Sequence, residues 1–135
     1  MFVVDASVAL AWCFADEASE VADGVLDRLV SDHALAPAIW PLEIANALRT
    51  AEKRGRLQPA DVAQIRELLV SLPVTVEMVD LEDAVGGILD LARRLELTAY
   101  DAAYLELAAR RSLALATVDD QLRAACAQSG VDLVA

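Results

Sequence analysis

The chain opens on Phe2, Val3 and Val4, an aromatic and β-branched run that stops at Asp5. That is the pattern of a short strand buried on both faces. A helix from about Ser7 to Phe14 is expected next, and Ala18, Val21, Val25 and Leu29 recur at the spacing of a second. Residues 34–37 read as a short strand or link. Pro41 suits the first turn of a third helix, which runs to Arg54 and stops at Gly55. Gln58 and Pro59 open a fourth helix with Val62, Ile65, Leu69 and Leu72 on one face. Residues 74–76 predict a strand. Leu81, Val85, Ile88, Ala92 and Leu95 predict a fifth helix, carried across Gly86 and Gly87. A sixth spans Thr98 to Arg111, a strand covers 113–117, a last helix runs from Asp119 to Gln128 before Gly130, and residues 131–134 form a closing strand.

Apolar strands alternating with amphipathic helices predict an α/β fold. Its form is an α/β/α sandwich around a mostly parallel central sheet, built as one domain over residues 1–135. Composition agrees: 57% of the residues are hydrophobic but only 4% aromatic, a mix rich in Ala, Val and Leu that suits helices packed on a buried sheet. The apolar start up to Ala15 is no secretory leader by pattern, because no basic segment precedes it and Asp5 interrupts it. No other stretch is long enough to span a membrane, so a cytoplasmic protein is expected. Cys13 and Cys126 are far apart and read as two reduced thiols; with His33 as the sole histidine, they leave no donor set for zinc.

In parallel α/β sheets, ligands collect outside the carboxyl ends of the strands. Four acids fall there. Asp5 ends the first strand, Asp119 follows the strand at 113–117, Asp101 heads the sixth helix, and Glu43 lies in the first turn of the third. Each alone could be a helix cap or a charge against a helix dipole. Asp120 fits that description best, as a solvated first-turn acid. Four acids from four distant segments at one sheet edge are a different matter. Two carboxylates ~5 Å apart repel by about 3 kcal/mol even at an effective dielectric of 20. Such a group takes up a proton or a divalent cation. Oxygen donors without His or Cys select a hard ion, Mg²⁺ or Mn²⁺ or else Ca²⁺, and a carboxylate-held Mg²⁺ serves phosphodiester hydrolysis.

The matching fragments are Val3-Val4-Asp5-Ala6-Ser7-Val8, Glu43 with Asn46, Tyr100-Asp101-Ala102-Ala103-Tyr104, and Ala116-Thr117-Val118-Asp119 with Leu122. In order and spacing they resemble the PIN-domain ribonucleases of the VapC toxin type. That resemblance implies Asp5, Glu43, Asp101 and Asp119 as catalytic, metal-binding acids, with Ser7, Asn46 and Thr117 supporting them. It implies cleavage of tRNA or rRNA with Mg²⁺ or Mn²⁺ as cofactor, a homodimer, and a cognate antitoxin that blocks the site.

The charge complicates this, since 22 acidic residues against 11 basic give −11, and charge alone cannot hold a polyanion to such a chain. Arg49, Lys53, Arg54 and Arg56 fall in and after the helix carrying Glu43, and they mark an RNA path from the site or else a solvated face. Two other functions compete. A haloacid-dehalogenase-like phosphatase also begins with an Asp after its first strand, but its second acid would stand where Ser7 is and its lysine could only be Lys53. A non-catalytic module keeping the fold would have no need of all four acids. Trp12, Trp40 and the face with Ile65, Leu68 and Leu72 belong to the core or to a surface for a partner.

Overall fold

The computed structural model describes residues 1–134. Phe2–Val4 forms β1, and its three side chains are fully buried, as its apolar run demands. Ala34–Pro37 is β2, Val74–Glu77 is β3 and Leu115–Ala116 is β4. All pair in parallel in the order β3-β2-β1-β4. The chain thus steps outward from β1 to β2 to β3, then returns to the other side of β1. The reversal lies between β1 and β4, where an open parallel sheet leaves a crevice at its carboxyl edge.

The helices are α1 (Ala6–Cys13), α2 (Glu20–Arg28), α3 (Ile39–Lys53), α4 (Pro59–Ser71), α5 (Leu81–Asp83), α6 (Leu89–Leu95), α7 (Ala99–Arg111) and α8 (Asp120–Ser129). They flank the sheet, giving the expected α/β architecture. α1 packs on α2 and α3, while α7 lies over β1 and β2 and against α6 and α8. α7 is the most buried helix: Ala102, Ala103, Tyr104, Leu105, Leu107 and Ala108 all face inward. The Trp12 indole N–H donates to the Ala22 carbonyl at 2.7 Å and ties α1 to α2. Among the described residues, no helix is long and apolar enough to cross a membrane.

The sequence reading departs from the structure in four places, the first being the strand expected over 113–117, which covers only Leu115–Ala116. The closing strand at 131–134 is reduced to one bridge, Leu133 beside Leu115, held by Leu115 N–H to Asp132 and Val134 N–H to Leu115. Asp132 and Gly130 leave too short an apolar run to extend it. The fifth helix is not one α-helix: Ala84–Ile88 is π-helical between α5 and α6. Gly86 and Gly87 lie in that stretch, where the absence of side chains lowers the resistance to a wider turn. α3 begins at Ile39, two residues before Pro41, so Glu43 stands in its second turn. That removes the dipole explanation for Glu43, since the effect fades beyond the first turn. Gly55 and Gly130 adopt left-handed backbone at φ 73° and 75° and end α3 and α8 as the sequence predicted.

Candidate functional site

The carboxyl ends of β1 and β4 carry Asp5 and the turn 117–119, and side-chain hydrogen bonds stitch the two together. Asp5 is 4% exposed. Its Oδ1 accepts the Ser7 hydroxyl at 2.5 Å and the Val8 amide at 3.2 Å, so it also caps α1. Its Oδ2 accepts the Thr117 hydroxyl at 2.7 Å. Thr117, wholly buried, accepts the Asp119 amide in turn at 3.0 Å, and Ser7 accepts the Val118 amide at 3.1 Å. Each hydroxyl therefore donates to Asp5 and accepts an amide of the 117–119 turn, Thr117 from its own turn and Ser7 from across the strands. Ser7 and Thr117 thus join β1 to β4 at the point where the sheet reverses.

The remaining acids come from three helices. Asp119 caps α8 by accepting the Leu122 amide at 2.9 Å, and its side chain is exposed. Asp101 lies in the first turn of α7 but does not cap it. Thr98 does, accepting the Asp101 amide at 3.1 Å. The Asp101 carboxylate is thereby left without a hydrogen-bond partner among the described residues. α7 runs back towards β4, so its amino end sits at the sheet's carboxyl edge. Half-buried Glu43, from α3, accepts the Tyr104 hydroxyl at 2.7 Å.

Repulsion links the four acids in pairs. Burial pushes the Asp5 carboxyl up to about 6; bonds from Ser7, Thr117 and Val8 offset part of this, and the charge of Asp119 adds to it. Burial also raises Asp101, with Asp119 contributing, and Glu43, with Asp101 contributing. Repulsion runs from Asp5 through Asp119 and Asp101 to Glu43. None of the four forms an ion pair with Lys or Arg among the described residues. Carboxylates that repel one another in pairs without a cationic partner take up a proton or an exogenous cation.

Among the described residues no three His, Cys, Asp or Glu side chains stand close enough to enclose an ion. Oxygen donors without His or Cys suit a hard ion, which can keep several waters and use one or two carboxylates.

Asn46 is exposed one turn after Glu43, and Asp120 is exposed at the first position of α8, as a solvated acid should be. The basic group divides. Arg56 is committed to structure: its guanidinium meets both Asp16 oxygens at 3.0 Å and stacks on the Phe14 ring at 4.6 Å. Arg49 lies 4.0 Å from Glu52, while Lys53 and Arg54 have no acidic partner among the described residues. His33 is remote from the acids and bonds Thr75 at 2.6 Å. Both thiols are free, and burial pushes each up to about 11, which disfavours the thiolate at neutral pH.

Two features escaped the sequence reading. One is Tyr104 as the partner of Glu43; its position three residues after Asp101 on one helical face was the available signal. The other is Arg123, whose guanidinium donates to the Thr117 carbonyl at 2.9 Å and braces the turn carrying Asp119. No local pattern announces that contact.

The PIN domain family model matches residues 2–128. The chain is 36% identical over 124 residues to ribonuclease VapC9 of Mycobacterium tuberculosis, covering 90% of this chain and 88% of that protein. It is 31% identical over 120 residues to ribonuclease VapC3 of Pyrobaculum aerophilum, covering 89% and 90%. Among solved structures, PAE2754 from Pyrobaculum aerophilum superposes with a TM-score of 0.68 at 22% identity, over 92% of this chain and 83% of the other. A toxin–antitoxin complex from Klebsiella pneumoniae contains a chain with a TM-score of 0.60 at 16% identity, over 88% and 87%. At those identities the two structures support the fold alone.

Proposed function

The chain belongs to the PIN domain family, and on that premise we propose that it is a metal-dependent endoribonuclease, the toxin of a toxin–antitoxin pair. What supports this reading is that Asp5, Glu43, Asp101 and Asp119, from four separate elements, are linked in pairs by repulsion and form no ion pair with Lys or Arg among the described residues. Relatives named VapC ribonuclease, matched along nearly their whole length, support the activity.

The four acids are the proposed ligands, and Mg²⁺ or Mn²⁺ is the ion their oxygens suit. When bound, such an ion supplies charge neutralisation at the phosphate and a more acidic water. The chain's own part is to hold the acids ready. Ser7 and Thr117 fix both oxygens of Asp5, so its carboxylate cannot rotate away. The caps at Val8 and Leu122 anchor Asp5 and Asp119 to the starts of α1 and α8. Asp101, with no hydrogen-bonded partner, remains available to an ion or a water. Asn46, exposed beside Glu43, is placed to meet substrate. No observation favours the phosphatase alternative: both Asp5 oxygens are engaged, Ser7 stands where a second acid is needed, and Lys53 is exposed at the end of α3.

Cleavage of total cellular RNA by purified protein, with Mg²⁺, with Mn²⁺ and with EDTA, tests the reading. We expect discrete fragments with either ion, none with EDTA, and a fall of at least a hundredfold in Asp101→Asn, about 3 kcal/mol of barrier. Metal-independent cleavage, or an Asp101→Asn variant as active as the parent, would remove the assignment.

The RNA path is proposed to run along α3 past Arg49 to Lys53 and Arg54. Charge reversal at Lys53 and Arg54 should weaken binding of a catalytically dead variant to RNA and flatten its salt dependence by roughly one to two ions. Arg56→Ala, whose side chain is already paired, should leave that slope unchanged and lower stability by under about 1 kcal/mol. Equal slopes in all variants would place the path elsewhere. Apolar surface for partners exists at two places: Met78, Leu81, Val85 and Tyr100 are exposed, and a groove between α3 and α4 is lined by Trp40, Ile44, Leu48, Val62 and Leu69. These would serve the homodimer and the antitoxin, in a cytoplasmic protein.

A further inference from the structure

We propose that Tyr104 is a positioning residue whose hydroxyl sets the orientation of Glu43 for metal binding, an inference that rests on the nuclease reading above. Glu43 differs from Asp5 and Asp119 in what holds it. Those two are short side chains locked at helix starts by backbone amides, at 3.2 Å from Val8 and 2.9 Å from Leu122. Glu43 lies in the second turn of α3, away from any free amide, on a side chain with one more rotatable bond. Left alone, it would lose about 1.5–2 kcal/mol of rotamer freedom on being fixed. The one hydrogen bond it makes among the described residues comes from Tyr104, at 2.7 Å.

Tyr104 is suited to this work because it cannot move. It is 1% exposed, with its ring in the main core among residues of β1, β2 and α7. It stands one turn after Asp101 on α7. The same helix therefore carries one acid of the site and the donor that orients another, across the 61 residues separating Glu43 from Tyr104. The hydroxyl occupies Oε1. Oε2 is the oxygen without a hydrogen-bond partner among the described residues, and it is the one offered to an ion or a water. A supporting donor of this kind behind a ligand is commonly worth about 10- to 100-fold in metal affinity or activity.

A tyrosine buried to this degree needs an acceptor in any case, so the bond could serve the core alone. The test separates the two. Tyr104→Phe keeps the ring and its packing and removes only the oxygen. Mn²⁺ binding to metal-stripped protein is measured by calorimetry for the parent, Tyr104→Phe, Glu43→Ala and the double variant, with kcat and KM on one RNA substrate. Melting curves establish that each is folded. The expected result is a Mn²⁺ Kd raised about tenfold or more in Tyr104→Phe, a lower kcat at saturating metal, and an unchanged KM for RNA. Adding Tyr104→Phe to Glu43→Ala should change the Kd no further. A Tyr104→Phe protein that binds Mn²⁺ like the parent, while Glu43→Ala is impaired, would overturn the proposal and leave the nuclease reading intact. A parent that binds no Mn²⁺, with Glu43→Ala indistinguishable from it, would overturn the proposal together with the reading beneath it.

Discussion

Asp5→Asn should abolish RNA cleavage and at the same time raise the melting temperature of the metal-free protein. Burial holds the Asp5 carboxyl at about 6 in the folded chain, against 3.8 for the free side chain. Keeping it ionised at neutral pH therefore costs about 3 kcal/mol of folding free energy. The sign follows from the direction of the shift. Below the unfolded value the group is protonated in both states and costs nothing. The penalty grows between the two values and is complete above the folded one. Asparagine removes the charge while its oxygen can keep the bonds from Ser7 and Val8. Its amide would face Thr117, which must turn its own proton away, so only part of the gain survives. We expect a net stabilisation of about 1–2 kcal/mol at pH 8 in EDTA, or several degrees in Tm. The difference should vanish as the pH falls below about 4. Saturating Mn²⁺ should reverse the order, since the parent gains binding energy that the variant lacks. Melting curves at several pH values, with EDTA and with Mn²⁺, read all of this. A variant that melts below the parent at pH 8 in EDTA would show that the burial penalty is not there.

Thr117→Val should do the opposite to stability with almost no change in shape. The Thr117 side chain is fully buried, and its hydroxyl serves Asp5 Oδ2 and the Asp119 amide together. Valine leaves a buried charged acceptor short of a donor and an amide short of an acceptor. Each such orphan costs about 1–3 kcal/mol, more where the group is charged. The expected loss is about 3 kcal/mol at neutral pH, on the order of 10 °C in Tm for a domain of this size. It should lessen towards pH 4, where Asp5 carries a proton and needs less support. In the Asp5→Asn background the loss should be smaller, because the two changes act on one bond. Full additivity in chemical denaturation would show that the Thr117 hydroxyl works independently of Asp5.

The legible and illegible parts of the molecule divide along physical lines. β1, β3 and most helices were readable because burial imprints a period on the sequence, and stops such as Gly55 and Gly130 punctuate it; the residues of β2 read equally as a strand or a link. The acids could be nominated as a set because a parallel sheet sends the end of every strand to one edge. What failed depended on competition between neighbours in space. The residues after Gly130 look strand-like, yet they make only a single bridge with Leu115. Gly86 and Gly87 could be tolerated in an α-helix or widen it, and only the packed structure decides. Arg56 looked like part of a basic face until Phe14 and Asp16, some forty residues earlier, claimed it. The bond between Tyr104 and Glu43 is likewise a property of two helices brought together, which no window along the chain can reveal.

The placement of β1 in the middle of the sheet, flanked by the first and last strands to follow it, bears on synthesis. Asp5 and Thr117 are joined across 112 residues. At roughly 5–20 residues per second, the ribosome makes Thr117 roughly 6 to 20 seconds after Asp5. Throughout that interval the crevice lacks one of its two walls, Asp5 lacks the Thr117 hydroxyl, and neither Asp101 nor Asp119 is present until near its end. A site assembled from both ends of the chain should form only once the last strand is made, so we expect no cleavage of RNA by the chain while it is still being translated.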